Sequence, residues 1–271
     1  MIFIAKELNA SRVNLLMNDF AAGLPSPLAF LGLGEAIGRA LGAPQWKVGV
    51  LPVLHRVDVS EGRTRPENST RRNSGQFAPD EIAEDLNGSV TVSLLLDVPD
   101  CSDDHLVADA LLGRRISGGP IHNAQIKVEQ ATPDGSAFNT VNRGYAMIRA
   151  EPPKSAVVAT GDIDDLKALA SELYPAERKP GSGWFVPVAV GHRLLENPDE
   201  VPKRKGTRDP NIPHVFTEPA VGIAELVSVR NRRLTGLNEK DFSALLWRWE
   251  AEGKWIVGHP NYHPDAHAAV L

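Results

Sequence analysis

An α+β fold is predicted by three observations. Short runs rich in Val and Leu read as strands, two segments between them carry helix caps, and 21 Pro and 23 Gly punctuate the chain into short elements. In order they give strand, helix, strand, strand, helix, strand, which is the split βαβ, ferredoxin-like order. A second, mixed α/β half follows without a sharp boundary. The expected division is a core over 1–135, with an insertion at about 60–88, and a second lobe over 136–271 that ends in a helix packing on the core.

The elements follow from local chemistry. Ile2 to Leu8 is apolar and β-prone. Gly23-Leu-Pro-Ser26-Pro27 makes a rigid turn with Ser26 as N-cap and Pro27 at the first helical position. Phe30, Leu33, Ile37, Ala40 and Leu41 recur at helical spacing, so the helix spans 27–42 and stops at Gly42 before Pro44. Lys47 to Val59 predicts a long strand in which Pro52 marks a bulge or an edge. Ser89 to Val98 turns continuously apolar, as a central strand does. Asp103 and Asp104 open a helix through about Leu112, with acid at its positive end and Arg114 and Arg115 beyond its other end. Gly118-Gly119-Pro120 leads to strands near Ile121–Glu129 and Gly144–Ala150. The second half predicts a helix at Asp162–Leu173 and strands at Trp184–Val190 and Ala224–Val229. A capped helix at Asn238–Glu250 follows, with Phe242, Leu245, Leu246 and Trp249 inward.

The bulk properties narrow the class. With 34 acidic and 29 basic residues the net charge is -5, so nonspecific coating of DNA is excluded. A single cysteine, Cys101, excludes a disulfide framework and a multi-Cys zinc site and fits a reducing cytoplasm. No run of eighteen apolar residues predicts a membrane span, and the apolar N-terminal stretch is too short for a signal peptide.

Against that acidic background one segment stands apart: Arg63-Thr-Arg65-Pro-Glu-Asn68-Ser-Thr-Arg71-Arg72. Arg forks match phosphate oxygens, and Asn, Ser and Thr add neutral donors for phosphate or base edges. It lies in a connection far longer than a hairpin needs, and such connections are functional or disordered. Two more basic clusters follow, Lys203/Arg204/Lys205/Arg208 and Arg230/Arg232/Arg233. For all three the competing reading is solvated surface charge. A ferredoxin-like sheet is the platform of many RNA-binding modules, but the aromatic signature for stacking bases on the sheet is absent.

Other patterns are weaker. Gly32-Leu-Gly34-Glu-Ala-Ile-Gly38 imitates a dinucleotide fingerprint, yet its glycines fall inside the helix rather than in the turn before it. Close packing of that helix on a sheet is the better reading, and no cofactor is expected. His259, His263 and His267 are interrupted by Pro260 and Pro264, so a tail rather than a metal site is expected. His55, beside Arg56, and His122 are the candidate general acids or bases. No hydrolase, metalloprotease or P-loop motif accompanies them, and no catalytic activity is expected.

The motifs, taken together, resemble the type I-F Cas-five-like ("Csy two") subunits of CRISPR–Cas surveillance complexes. The residues that carry this are Gly23–Gly32, His55-Arg56, Arg63 and Arg65 with Asn68, Thr70 and Arg71, and Ser93–Leu96 with Asp103–His105. Gly118–Ile121, Gly183–Pro187 with Gly191, Arg204–Phe216 and Leu245–Trp247 follow in the family's order. The resemblance implies an RRM-like fold with an inserted thumb and a non-catalytic, cytoplasmic role in antiviral defence, clamping the 5′ handle of the crRNA. It implies as partners a large subunit and a repeated backbone subunit, with target double-stranded DNA nearby and no membrane. RNA contact carries over to Arg63, Arg65, Asn68, Arg71 and Arg72, and then to His55, Arg56 and Arg208. Partner subunits would cover the apolar surface of the second lobe at Trp184, Trp247, Trp249 and Trp255. The chain departs from the family in having less sequence between Ile121 and Gly144 and between Tyr174 and Trp184. The rival reading is a metal-independent endoribonuclease that processes the guide, with His55 or His122 and a nearby Arg as its chemistry.

Overall fold

A computed structural model describes residues 1–16, 23–60, 86–150, 181–204 and 211–259. It also describes 167, 170, 171, 173–175, 177, 206, 207 and 209, and the backbone of four short strands between 63 and 85. The chain is α+β, with a mostly antiparallel sheet and few helices.

The first half contains β1 (Ile2–Asn14), α1 (Pro27–Leu41), β2 (Gly49–Val59), β3 (Arg63–Arg65), β4 (Asn68–Thr70), β5 (Phe77–Pro79), β6 (Ala83–Asp85) and β7 (Asn87–Asp97). It continues with α2 (Asp104–Leu111), β8 (Arg115–Ile116), β9 (Gly119–Pro120) and β10 (Lys127–Ala131). After a 3-10 turn at Gly135–Thr140 come β11 (Tyr145–Arg149), β12 (Trp184–Leu194) and β13 (Thr217–Ser228). Two short helices, α3 (Arg232–Thr235) and α4 (Glu239–Ser243), precede β14 (Arg248–Glu252) and β15 (Trp255–His259).

Nine strands form one sheet in the order β10-β1-β7-β2-β11-β13-β12-β15-β14. The two halves of the chain therefore meet through strand pairing of β2 with β11, at Leu54 and Val53. Beyond that contact, Val50 and Trp247 exchange backbone hydrogen bonds at 2.9 Å, so the chain entering β14 returns to β2. Six strands thus close on themselves. Pro52 sits between these two contacts. By the alternation of the strand its missing N–H falls in the gap on that side, which is how a central strand tolerates proline.

α1 begins as its caps predict: Ser26 Oγ accepts from Leu28 N and also donates to the Ala189 carbonyl. The helix glycines are packing residues. A methyl group on Gly34 would stand 2.5 Å from Val50 Cγ2, and one on Gly38 2.6 Å from Val48 Cγ2. Gly32, in contrast, faces open space. Asp103 caps α2 by accepting from His105 N.

Three sequence expectations are corrected. β1 runs past Leu8 to Asn14 because two bulges, with Glu7 and Arg12 in the left-handed region, keep its register with β7. The strand expected at Ile121–Glu129 starts at Lys127, since Ile121 makes only a bridge to Ala10. The helix expected at Asn238–Glu250 stops at Ser243. Pairing of Trp247 with Val50 and of β14 with β15 outweighs the helical spacing of Leu245, Leu246 and Trp249. The helix expected at Asp162–Leu173 lies largely outside the described residues. Among the described residues no helix is long and apolar enough to cross a membrane.

Candidate nucleic-acid interface

The Arg-rich connection leaves the sheet between two paired strands, β2 and β7, whose register ends at Val59 opposite Gly88. From there the backbone folds into an antiparallel arm. β3 pairs with β6 (Arg63 opposite Asp85, Arg65 opposite Ala83), and β4 pairs with β5 (Asn68 opposite Pro79). Of its described backbone, one limb carries Arg63 and Arg65 and the other carries Glu84 and Asp85. The register thus puts an acid directly across from Arg63 and none across from Arg65. Arg71, Arg72 and Arg208 lie outside the described residues.

His55 and Arg56, at the foot of the arm, are placed differently from each other. Arg56 is largely exposed and its Nε is 2.6 Å from Asp58 Oδ2. His55 is half-buried with both ring nitrogens engaged: Nδ1 is 2.9 Å from the Arg143 carbonyl and Nε2 is 2.7 Å from Ser93 Oγ. Ser93, only 1% exposed, also accepts from Glu7 N at 3.0 Å. A carbonyl can only accept, so Nδ1 carries a proton. In that tautomer Nε2 accepts the hydrogen bond of the Ser93 hydroxyl, and every group is satisfied. The sequence reading missed Ser93, a polar residue in the apolar run Val92–Leu96 that could have signalled a buried partner.

The sheet surface beside the arm is polar but internally committed. Asn9 N and Asn123 Nδ2 form bonds with Asn123 Oδ1 and the Glu7 carbonyl, Thr91 donates to Asn9 Oδ1, and Asn142 donates to Glu7 Oε1. These amides hold the first bulge of β1 in place rather than standing open for base edges. His122, exposed, lies with Nε2 2.6 Å from Ser11 Oγ.

In the other two basic clusters Arg204, Arg230 and Arg233 are engaged within the protein. Arg230 donates to the carbonyls of Phe138 and Val141, at 2.6 and 2.7 Å, tying the end of β13 to the 3-10 turn. Arg233 forks onto Glu225, which is 3% exposed and also accepts from Gly183 N. Arg204 places Nη2 on both oxygens of Glu196, and its Nε donates to the His214 carbonyl. Burial lowers the pKa of Arg149, at the end of β11, below the ordinary arginine value.

The four tryptophans expected under partner subunits also divide. Trp247 is 1% exposed, and its Nε1 donates to the Met147 carbonyl, so it belongs to the chain's own core and not to an assembly surface. Trp249 packs against that core, and Trp255 lies under Arg193. Trp184 remains largely exposed.

Residues 163–256 match the family model described as CRISPR-associated protein (Cas_Csy2). That stretch takes in β12, β13, α3, α4 and β14, whereas the motifs from Gly23 to Ile121 fall outside it. No curated protein matches the chain.

Proposed function

The chain belongs, through residues 163–256, to the Cas_Csy2 family of CRISPR-associated proteins, and on that premise we propose that it is a non-catalytic RNA-binding subunit. In this reading it serves a type I-F surveillance complex and clamps the 5′ handle of the crRNA. A large subunit and a repeated backbone subunit flank it, and target duplex enters nearby.

The arm between β2 and β7 carries the reading. It sets Arg63 and Arg65 on a strand outside the nine-stranded sheet, with Arg71 and Arg72 following in the sequence, while Arg204, Arg230 and Arg233 are engaged within the protein. Because Arg63 faces Asp85, the outer residues Arg65, Asn68, Arg71 and Arg72 are the stronger phosphate and base contacts, with Arg56 and Arg208 supporting. His55 acts from below, fixing the foot of the arm. The order β10-β1-β7-β2, with α1 between β1 and β2 and α2 between β7 and β10, supports a split βαβ, RRM-like core beneath the arm. Engagement of both His55 nitrogens leaves His122 as the residue on which the endoribonuclease alternative rests.

The test is to purify the tagged protein gently from its native host and sequence the RNA that accompanies it. Short RNAs with one fixed 5′ end and variable interiors are expected, together with co-purifying subunits. A monomer free of RNA would sink the reading. A discrete cut in repeat RNA, made in EDTA and lost in His122→Ala, would replace it with catalysis.

A further inference from the structure

Where the β12–β13 ladder ends, an exposed aromatic ring lies against a fixed guanidinium, and we propose that Phe216 is a stacking platform for an unpaired RNA base. The inference rests on the RNA-binding reading and adds a second contact, several strands away from the Arg-bearing arm.

The ladder's end is built to hold that ring still. Leu195 N donates to the Phe216 carbonyl at 2.9 Å, extending the ladder beyond Leu194 and Thr217. Phe216 N donates to Glu196 Oε2 at 2.8 Å. The same carboxylate holds Arg204 Nη2 at 2.5 and 2.6 Å, and Arg204 Nε is anchored on the His214 carbonyl at 2.9 Å. The guanidinium so fixed lies over the Phe216 ring, with Cζ 4.2 Å from the centroid. Phe216 is nonetheless 62% exposed. One face of the ring is therefore backed by a cation, while well over half of the residue stays open to solvent.

Three consequences point to a nucleobase. Every base has a π face, so a flat platform without walls accepts any of them, and stacking of this kind is worth a tenfold or greater change in affinity. The ring is ordered before binding, which spares the entropy of fixing it. Arg204 is neutralised by Glu196, and in the sequence of the same connection Asp199, Glu200 and Asp209 balance Lys203, Lys205 and Arg208. Binding here should then depend on stacking and hardly on salt, unlike binding by the arm.

The experiment measures binding of the full chain to a short single-stranded RNA and to an abasic RNA of the same length, over a range of salt. Phe216→Ala should weaken binding to the normal RNA by about tenfold with the salt slope unchanged. Phe216→Trp and Phe216→Tyr should retain affinity, Phe216→Leu should lose it, and wild-type protein on abasic RNA should fall to the Phe216→Ala level. Full affinity in Phe216→Leu beside a loss in Phe216→Ala would mean apolar contact without stacking of a base and overturn the proposal. Unchanged affinity in Phe216→Ala, with loss in an Arg65/Arg71 double variant, would overturn it while leaving the function standing. Absence of RNA binding in the wild type would overturn both. Phe216 lies outside the core, so thermal unfolding of each variant should match the wild type.

Discussion

His55 Nε2 and Ser93 Oγ lie 2.7 Å apart, joining the end of β2 to a buried hydroxyl in β7. The bond is one link of a chain that runs from the Glu7 amide through Ser93 and His55 to the Arg143 carbonyl. It ties β1, β2, β7 and the entry to β11 together at one place, just below the arm. His55→Ala leaves a buried hydroxyl and a carbonyl without their partner. It should cost about 1–3 kcal/mol, read as a lowered urea midpoint with unchanged slope. RNA binding per folded molecule should survive, which a direct RNA contact would not allow.

Gly144 tests the same junction from the other side. A methyl group there would stand 2.7 Å from both His55 Nδ1 and the Leu54 carbonyl. Gly144→Ala must therefore displace either the imidazole or the strand. A destabilisation of about 1–3 kcal/mol is expected in chemical denaturation. An unchanged midpoint would show that the His55 network is not rigid.

The legible part of this chain was what local chemistry dictates. Ser26-Pro27, Gly42 and Asp103 fix helix ends through caps that need only neighbouring residues, and the Val/Leu runs mark the central strands. What stayed hidden depends on distant partners. Leu245, Leu246 and Trp249 fit a helical face until Val50, 197 residues before Trp247 in the sequence, is seen to claim Trp247 through the backbone. Likewise Arg204, Arg230 and Arg233 read as open cations, because Glu196, Phe138 and Glu225 approach them only in the folded sheet. The arm was visible as an over-long connection, but its pairing of a basic limb with an acidic one follows from register.

That pairing logic gives a contrast between adjacent arginines. Arg233→Ala removes the fork from Glu225 and leaves a buried carboxylate short of donors. The half-exposed position of Arg233 brings the cost below that of a fully buried pair, to about 2 kcal/mol. Arg232→Ala, at an exposed position, should fall within about 0.5 kcal/mol of wild type. Denaturation of the two variants checks this, and equal losses would mean that the Glu225 pair contributes nothing specific.

Closure of the six strands depends on Arg248. Its guanidinium donates to the Lys47 carbonyl at 2.6 Å and to Asp97 Oδ2 at 2.5 Å, and it lies where a side chain on Gly49 would be. Arg248→Ala removes a contact from Asp97 at the end of β7 and should loosen β14 and β15, whose entering chain bridges β2 at Trp247–Val50, while the β1–β7 ladder stays paired. Hydrogen exchange should therefore accelerate in residues 248–259 by more than tenfold, while β7 keeps its protection. Uniform acceleration would instead place Arg248 in the global stability of the chain.

The arm itself is tested by charge. Single-stranded RNA loses counterions when its phosphates are neutralised, at about 0.7 in log–log salt slope per contact. Replacing Arg63, Arg65 and Arg71 together by Ala should leave the fold intact, because the arm stands outside the nine-stranded sheet. RNA binding should fall at low salt, and its salt slope should flatten. Arg63→Ala alone should do least, since the register sets Asp85 opposite it, whereas Arg65 has Ala83 opposite and keeps its charge for RNA. Steps of about one contact for Arg65 and Arg71 and nearly none for Arg63 would identify the outer arm as the phosphate clamp. An equal step for all three would mean that Asp85 does not compete for Arg63, and an unaltered slope in the triple variant would remove the arm from RNA binding altogether.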